Sequence, residues 1–348
     1  MRVLVYPADN YGCGHFRLIF VSEILRAQGH EVELVAPDKR QVQIIVKDQT
    51  VTDVILDADV VVFQRITHAF MAQAVAVLRS KGVAVVVDID DDLTAIHPSN
   101  PAYAAMHPRN ERINRHSWKH LTEACRAATL VTVSTPGLLE RYARHGRGAL
   151  LRNYLPSTYF GVDHQDSDVI GWPAALTSHP DDPSALGGAV ARLVADGADF
   201  RVIGDPTGAG EAFGLPSDPS GLHGVDIHGW PAAVATLGIG IAPLADTRFN
   251  ACKSWLKPLE MSALGIPWVA SPRAEYAALH SLGAGLLADT SRRWYRALDQ
   301  LRSNPAMRAE YAAAGRDTAA GLRIEDHSWR TLEAWDRALK LQRQPVGV

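Results

Sequence analysis

The chain has 348 residues, 47% hydrophobic and 21% charged, an ordinary globular composition with room for about two domains. Its formal net charge of −3 argues against a nucleic-acid-binding protein, and three cysteines without CxxC spacing argue against a disulfide framework or a zinc site. No apolar run approaches the roughly 18 residues of a membrane span, and the first apolar run is too short for a signal peptide. We therefore expect a cytoplasmic protein without an integral membrane segment.

The first half of the chain alternates between strand and helix patterns. Short apolar runs predict strands at Val3–Tyr6, Glu31–Ala36, Asp59–Gln64, Val83–Ile89 and Leu130–Ser134. Helical spacing of apolar residues predicts helices at Arg17–Gln28, His68–Lys81, Asn110–Ala127 and Pro136–Ala143. Such alternation with short connections predicts a parallel sheet covered by helices on both faces.

A second alternation follows an irregular stretch at 153–163, which we interpret as a linker. Strands are predicted at Val169–Gly171, Phe200–Gly204, Val225–His228, Gly238–Ala242 and Pro267–Ala270. Helices are predicted at Pro183–Asp196, at Ser254–Leu264 and, near the end, at Ile324–Gln342. The predicted fold class is α/β, with two Rossmann-like parallel-sheet domains at 1–158 and 159–323 that face a cleft, followed by a C-terminal helix at 324–348.

The segment 249–271, FNACKSWLKPLEMSALGIPWVAS, carries the strongest chemical signal. A helix starting near Ser254 would place Lys253, Lys257 and Glu260 on one face. The positive end of such a helix, reinforced by Lys253, suits a diphosphate, and Glu260 could accept hydrogen bonds from ribose hydroxyls. The alternative is a solvated charged face on an ordinary helix.

A glycine loop follows the first predicted strand. Gly12 and Gly14 would let the backbone approach a ligand closely at the start of a helix. Arg17 stands where a dinucleotide fingerprint requires its third glycine, so that fingerprint is absent. The alternative is a simple tight turn.

The run Asp88-Ile89-Asp90-Asp91-Asp92 places four carboxylates in five residues at the end of a predicted strand. Because they repel one another, some must meet water, a cation or a hydroxyl-rich ligand. Two overlapping DxD spacings make Asp88, Asp90 and Asp92 the candidate ligands if a metal binds. The other interpretations are a solvated strand end and an acceptor-side base or hydroxyl clamp.

Two loops of the second half complete the set of candidates. The loop 171–182 begins with a glycine and is typical of loops that approach a phosphate or a sugar. Within it, His179 is the side chain that we single out. The tripeptide His228-Gly229-Trp230 lies at the end of a predicted strand, where its backbone groups could lie along the edge of a nucleobase. For His179, packing within the loop is the competing interpretation.

The pattern FNxxKSxxKxxExxALGIPxVAS, the glycine loop after the first strand and the two α/β halves resemble the GT-B-fold glycosyltransferases of the family-four-like group, which use nucleotide-sugar donors. The resemblance covers nearly the whole chain and includes Asn153 at the linker and Val202-Ile203-Gly204 in the second half. It implies an acceptor-side domain at 1–158, a donor domain at 159–323 and a final helix that crosses back to the first domain.

The resemblance also implies roles for individual residues. Lys253 and Ser254 would meet the diphosphate, Glu260 the ribose, and His228, Gly229 and Trp230 the base. The aspartate run would address the acceptor and the reacting sugar, with Asp88, Asp90 and Asp91 as candidate catalytic residues. The full set of predicted donor-binding residues is Gly12, Gly14, Trp172, His179, His228, Gly229, Trp230, Asn250, Lys253, Ser254, Lys257 and Glu260.

Two departures from the family pattern stand in the same region. Of the usual pair of glutamates, Glu260 matches the second, but Cys252 occupies the position of the first. Either Asn250 covers that role and binds donor hydroxyls, or the donor sugar differs. The usual arginine and lysine of the early loops of the second domain are also missing. His179, Lys253 and Lys257 are the nearby candidates for neutralising phosphate.

The resemblance implies a transferase that moves a hexosyl group from a nucleotide-diphosphate sugar to a hydroxyl acceptor, with retention. The acceptor could be a protein, a glycan, a lipid or a small molecule. No cofactor is required, and a divalent metal is possible but not expected, because Lys253, Lys257 and backbone amides would offset the charge of the leaving diphosphate. The alternatives are a nucleotide-sugar epimerase on the same scaffold and a degenerate protein that binds nucleotide-sugar or glycan without turnover.

Overall fold

The computed structural model describes residues 1–36, 42–98, 100, 102–106 and 117–344, and the chain forms two compact units. Unit 1 comprises the described residues of Met1–Pro98, Ala102–Tyr154 and Ile324–Val348, and unit 2 comprises Leu155–Arg323 with Asn100. The chain therefore leaves unit 1 after Tyr154 and returns to it at Ile324. Within the described part, no helix combines the length and the apolar character needed to cross a membrane.

Unit 1 is built on a six-stranded parallel sheet with the order β2-β1-β5-β6-β7-β8. In its centre, Val5 lies beside Val62, and Val62 beside Val86. These strands are runs of buried β-branched residues, as expected for a sheet covered on both faces. The strands are β1 (Val3–Tyr6), β2 (Val32–Leu34), β5 (Val60–Gln64), β6 (Ala84–Ile89), β7 (Leu130–Val133) and β8 (Gly148–Leu150).

A separate antiparallel hairpin, β3 (Gln43–Lys47) and β4 (Thr50–Ile55), lies in the connection between β2 and β5. Val51 and Val54 are buried, whereas Ile45 and Ile55 are exposed. This hairpin was not predicted from the sequence.

The helices of unit 1 cover its sheet, and the last one belongs to the core. Trp335 and Ala338 of that helix are buried against the same cluster as Val5, Val62 and Val86. The first helix is continuous from Gly12 to Ala27 and contains a π-helical turn at His15–Ile19. The helices are α1 (Gly12–Gly14), α2 (Phe20–Ala27), α3 (Ala69–Ser80), α4 (Ala102–Met106), α5 (Ser117–Ala127), α6 (Pro136–Tyr142) and α14 (Ile324–Arg343).

Unit 2 is built on a second six-stranded parallel sheet with the order β11-β10-β9-β12-β13-β14. Gly171 of β9 lies between Arg201 of β10 and Gly240 of β12, so the first strand of the unit is central. The strands are β9 (Ile170–Trp172), β10 (Phe200–Ile203), β11 (Ser220–Leu222), β12 (Ile239–Ala242), β13 (Trp268–Ala270) and β14 (Leu286–Leu287).

The core of unit 2 packs around Trp172, Trp294 and Leu298. Thr290 caps the helix that carries Trp294 by accepting a hydrogen bond from the N–H of Arg293. The helices are α7 (Ala189–Ala195), α8 (Ala209–Phe213), α9 (Trp230–Val234), α10 (Leu256–Leu264), α11 (Ala274–Ser281), α12 (Ser291–Ser303) and α13 (Pro305–Ala320).

Two α/β units with parallel sheets confirm the predicted fold class, but three predicted elements differ. Val225–His228 is a loop and a turn rather than a strand, because the side chain of Asp226 accepts the N–H groups of His228 and Gly229. The strand in that part of the sheet is β11. The predicted helix Asn110–Ala127 is not counted among the three, because Ser117–Ala127 is helical and 110–116 lie outside the described residues.

The other two differences concern the residues at which α-helices begin. The predicted helix Pro183–Asp196 is interrupted at Gly187 and Gly188, whose φ angles of +54° and +81° are incompatible with a continuous right-handed helix. The helix predicted to begin near Ser254 begins at Leu256, so Lys253 and Ser254 precede it.

Candidate functional site

The strand order of unit 2 reverses direction between β9 and β12, which run side by side. Ligands of open parallel sheets bind outside the carboxyl ends of the strands at such a switch point. His179 follows β9, and Asn250 and Lys253 follow β12. The sheet order therefore brings loops that are distant in sequence to one edge.

Asp182 connects these loops and was not predicted from the sequence as a site residue. Its carboxylate is buried and accepts hydrogen bonds from His179 Nδ1 at 2.8 Å, from Asn250 Nδ2 at 2.6 Å and from the N–H of Ala245 at 3.0 Å. One carboxylate thus joins the loop after β9 to the loop after β12. The available signal was its position three residues after His179 in a polar loop.

The ionisation of this pair follows from its surroundings. Burial, together with the charge of Lys257, lowers the pKa of His179 to about 4, although its bond to Asp182 acts in the opposite direction. Burial raises the pKa of Asp182, but the bonds from His179 and Ala245 outweigh it and leave the pKa below its ordinary value. At neutral pH the structure therefore holds a neutral imidazole against an ionised carboxylate.

Lys257 lies in the first turn of α10. Its Nζ donates to the carbonyl of Pro173 at 3.1 Å and lies 6.0 Å from the centre of the Trp172 ring. Burial lowers its pKa to about 8, despite the nearby charges of Asp182 and Glu260. An anion that binds beside this desolvated ammonium group would favour its charged form.

Lys253 and Ser254 stand immediately before α10. The Nζ of Lys253 lies 4.3 Å above the ring of Phe249, a cation–π contact. Asn250, which was predicted to bind donor hydroxyls, uses its amide nitrogen on Asp182 and on the carbonyl of Ala245. Its amide therefore serves to organise the loop.

Glu260 lies one turn further along α10 and is 6% exposed. Tyr159 Oη donates to its Oε1 at 2.5 Å, and Trp230 Nε1 donates to the same oxygen at 3.0 Å. Burial raises the pKa of Glu260 to about 7, an effect that the hydrogen bond from Tyr159, the charge of Lys257 and the bond from Trp230 only partly offset. Tyr159 was not predicted, since nothing near it in sequence indicates the contact.

Unit 1 has its own switch point, between β1 and β5. Gly12 and Gly14 follow β1. A Cβ atom on Gly14 would lie 1.9 Å from the carbonyl oxygen of Asp9, so this glycine is required by the chain itself, whereas Gly12 has only Phe16 side-chain atoms at 4.0 Å. Asp9 also accepts the N–H of Gly14.

Asp88 is a partner of Arg17 in unit 1. Arg17 donates from Nε at 3.1 Å and from Nη2 at 2.8 Å, and Thr132 Oγ1 donates to Asp88 at 2.7 Å. Arg17 also donates to Asn153 Oδ1 at 2.8 Å. Because Asp88 is only 1% exposed and both of its oxygens are occupied, it joins β6, β7 and the first helix.

Asp90 and Asp92 each have a different arginine. Arg65, which follows β5 with a φ of +54°, donates to both oxygens of Asp90 at 2.6 Å. Asp92 is paired with Arg141 at 2.9 Å and accepts from Tyr142 Oη at 2.8 Å. Asp91 contacts Arg65 at 3.4 Å, and its side chain is 17% exposed.

The alternative metal set Asp88, Asp90 and Asp92 does not come together, because each carboxylate is bound to its own arginine. Among the described residues, the group close enough to share an ion is instead Cys13, Asp90 and Asp91. Arg65 Nη2 lies 3.1 Å from Cys13 Sγ and 2.6 Å from Asp90, so a guanidinium already supplies positive charge there.

The predicted site residues thus form two groups, one in each unit. In unit 2, Asp182 accepts from His179 and Asn250, Lys257 lies over the ring of Trp172, and Glu260 accepts from Trp230. His228 and Gly229 lie in the turn capped by Asp226, directly before Trp230. In unit 1, the glycine loop and the aspartate run are connected through Arg17 and Arg65.

Comparisons with known proteins agree on the fold. No protein-family model matches the sequence, and no curated protein matches it significantly. Among solved structures, the chain is similar to a glycosyltransferase from Rickettsia africae, with 12% identity, a TM-score of 0.65 and coverage of 97% of this chain and 99% of that one.

Two further similar structures contain ligands. HepE from Anabaena, in complex with UDP and glucose, has 14% identity, a TM-score of 0.59 and coverage of 96% and 99%. The catalytic domain of starch synthase IV from Arabidopsis thaliana, bound to ADP and acarbose, has 11% identity, a TM-score of 0.61 and coverage of 98% and 99%. The chain thus has the GT-B fold of these glycosyltransferases.

Proposed function

We propose that the protein is a glycosyltransferase that moves a hexosyl group from a nucleotide-diphosphate sugar to a hydroxyl acceptor, with retention of configuration. One observation carries the proposal. At the switch point of unit 2, helix α10 presents Lys257 with a pKa near 8 and, one turn on, the buried carboxylate Glu260 with a pKa near 7. Groups with strongly shifted pKa values at a strand-end position are typical of binding and catalytic sites.

The two groups suit the two parts of a nucleoside diphosphate. The diphosphate is an anion, and Lys257 with Lys253 would neutralise the charge that develops on it as the sugar leaves. Glu260 would accept hydrogen bonds from the ribose hydroxyls, and Trp230, which donates to Glu260 at 3.0 Å, would lie near the base. The UDP and ADP in the similar structures support this class of donor.

We propose that this chemistry needs no resident cofactor. The cationic groups for the leaving diphosphate come from the chain itself. In unit 1, the aspartate run is already matched by Arg17, Arg65 and Arg141, so its carboxylates have their positive partners.

For the acceptor side we propose Asp91 as the residue that binds the acceptor hydroxyl, with Asp88 and Asp90 holding the strand ends. Asp91 has the most exposed carboxylate of the run, at 17% against 1% for Asp88 and 7% for Asp90. Its contact with Arg65 is also longer, at 3.4 Å, than the 2.6 Å contacts of Asp90. Protein, glycan, lipid and small-molecule acceptors all carry the hydroxyl that this role requires.

A thermal-shift screen of nucleoside diphosphates and nucleotide-sugars, with and without Mg²⁺ and Mn²⁺, tests the donor site. A ligand at about 100 times its dissociation constant stabilises the native state by about 2.7 kcal/mol, which raises the melting temperature by a few degrees. We expect Glu260→Ala to abolish the shift. Asp166→Ala is the control, because that carboxylate of the same unit pairs with Arg308 at 2.7 Å. The absence of any shift on folded wild-type protein would contradict the proposal.

A second candidate, a protein that binds a nucleotide-sugar without turnover, is favoured by one observation. Cys252 stands where the resembled enzymes carry a glutamate, and it is buried. Release of nucleotide from a bound nucleotide-sugar, only when an acceptor is present, separates the candidates. Donor conversion without an acceptor would instead indicate an epimerase.

A further inference from the structure

The contact between Tyr159 and Glu260 joins two segments that are 101 residues apart. Tyr159 lies in a short 3₁₀ turn, Ser157–Gly161, a few residues after the chain enters unit 2 at Leu155. Glu260 lies in α10, which packs against this turn. The tyrosine is 2% exposed, so its ring and hydroxyl are fixed by the interior of the unit.

The hydrogen bonds to Glu260 are not shared between its two oxygens. Tyr159 Oη and Trp230 Nε1 both donate to Oε1. Among the described residues, none donates a hydrogen bond to Oε2. Because a carboxylate can accept about four hydrogen bonds, two on one oxygen leave the other able to accept a pair of donors. A ribose presents such a pair, its 2′- and 3′-hydroxyls.

We propose that Tyr159 is a positioning residue for nucleotide binding: with Trp230 it holds Oε1 of Glu260 and directs Oε2 to the ribose hydroxyls. This inference rests on the proposed function, since it concerns how the same site recognises its donor. Tyr159 itself touches the carboxylate and not the nucleotide.

The turn that carries Tyr159 is anchored where the chain both enters and leaves unit 2. The N–H of Leu155 donates to the carbonyl of Leu322 at 3.2 Å, and the guanidinium of Arg323 lies 4.6 Å from the centre of the Phe160 ring. Glu260 is thereby oriented by a segment outside the sheet and outside α10. Without the hydroxyl of Tyr159, one strong restraint on the carboxylate is lost while its packing remains.

The test is the affinity of Tyr159→Phe for nucleotides that carry or lack the ribose hydroxyls. The probes are UDP, ADP and GDP, and for the one that binds best, its 2′,3′-dideoxy analogue, measured by isothermal titration calorimetry. A hydrogen bond to a charged group contributes roughly a tenfold effect or more. We expect the variant to bind the ribonucleotide about 5- to 20-fold more weakly than wild type, but the dideoxy analogue with less than a twofold change.

The pH dependence supplies a second readout that simple loss of packing would not move. The bond from Tyr159 and the charge of Lys257 favour ionised Glu260, and so does the bond from Trp230. Removing the tyrosine hydroxyl should raise the pKa of Glu260. The loss of ribonucleotide affinity on the acid side should therefore move to higher pH in Tyr159→Phe and be absent in Glu260→Gln.

A matched control is available in unit 1. Tyr142 Oη donates to the buried carboxylate of Asp92 at 2.8 Å, so Tyr142→Phe removes a chemically similar bond. It should leave nucleotide affinity and its pH dependence unchanged.

Two results would overturn the inference. One is a Tyr159→Phe variant that binds the ribonucleotide as wild type does. The other is an equal loss for the ribonucleotide and the dideoxy analogue, which would mean that the hydroxyl supports the fold of the site and not ribose recognition. If the wild-type protein binds none of the three nucleoside diphosphates, the proposed function fails, and this inference fails with it.

Discussion

The clusters at the strand ends of the two units differ in how their buried charged side chains are paired. In unit 1, Asp88 and Asp90 each meet an arginine through two hydrogen bonds. The charge of Arg65 outweighs the effect of burial and holds the pKa of Asp90 below its ordinary value of 3.8. In unit 2, Lys257 and Glu260 share one helix, and burial moves both of their pKa values toward neutrality.

The paired charges of unit 1 stabilise the fold, whereas the charges of Lys257 and Glu260 in unit 2 are less fully compensated, as expected of groups that bind a ligand. A buried ion pair with full hydrogen bonding stabilises its own ionised state, and breaking it leaves an uncompensated charge. A buried group without a full partner is held in a costly state, which an incoming ligand can relieve.

The largest effect is expected from Arg17→Met in unit 1. The substitution leaves the carboxylate of Asp88 buried without its guanidinium, which typically costs about 3–5 kcal/mol of stability. Hydrogen–deuterium exchange of the β6 and β7 amides measures the change in unit 1 alone. Arg293→Met, which breaks the exposed pair with Asp289, should change stability little.

The double variant Arg17→Met with Asp88→Leu shows whether stability is lost through the unpaired charge of Asp88 or through the packing of Arg17. Replacing both charges with apolar side chains should recover much of the stability, because no unpaired charge remains. Equal destabilisation of the single and double variants would show that the packing of the arginine stem, rather than charge pairing, holds this region.

The same type of substitution in unit 2 should act on binding instead. Lys257→Met removes an ammonium group that burial already disfavours, so the unliganded unit should keep its stability within about 1 kcal/mol. Its affinity for a nucleoside diphosphate should fall about 10- to 100-fold, since a charge-assisted bond to phosphate is lost.

Calorimetry with UDP or ADP measures that affinity, and Lys340→Met is the control. Lys340 is an exposed lysine paired with Asp336 in unit 1, and its substitution should leave binding unchanged. If Lys257→Met instead destabilised unit 2 as strongly as Arg17→Met destabilises unit 1, the contrast between the clusters would be broken.

The sequence predicted the sheets better than the segments between them. Runs such as Val60–Gln64 are buried on both faces of the sheet, and their continuous apolar character is a strong local signal. Val225–His228 alternates apolar and polar residues as a half-buried strand does, yet the side chain of Asp226 accepts backbone N–H groups there and the chain turns. A local side-chain bond of this kind competes with a strand without changing the apolar pattern.

For the site, the sequence indicated groups that lie close together along the chain and missed their partners. Lys257 and Glu260 share one helix, so their spacing was visible. Tyr159 reaches Glu260 from 101 residues away, and Arg17 reaches Asp88 from 71 residues away. Such partners are set by the order of strands in the sheet, which composition and periodicity do not determine.

The smallest effect is expected in the pH dependence of stability, where the two clusters should differ in sign. The pKa of Glu260 is raised from 4.5 to about 7, so its contribution to stability is fully present below about 4.5 and is lost as the pH rises to 7. Glu260→Gln, which stays neutral, should match wild type near pH 5 and exceed it by about 1–2 kcal/mol near pH 8.

Asp90→Asn is the opposing measurement in unit 1. Because the pKa of Asp90 is lowered, its contribution is present above the ordinary value of 3.8 and is lost as the pH falls further. The stability deficit of Asp90→Asn should therefore be full at neutral pH and shrink in acid, whereas the advantage of Glu260→Gln should grow toward alkaline pH. Hydrogen exchange in each unit at several pH values would record both trends. Parallel trends would mean that Glu260 is as well compensated as Asp90, and the case for α10 as a ligand-binding helix would lose its electrostatic basis.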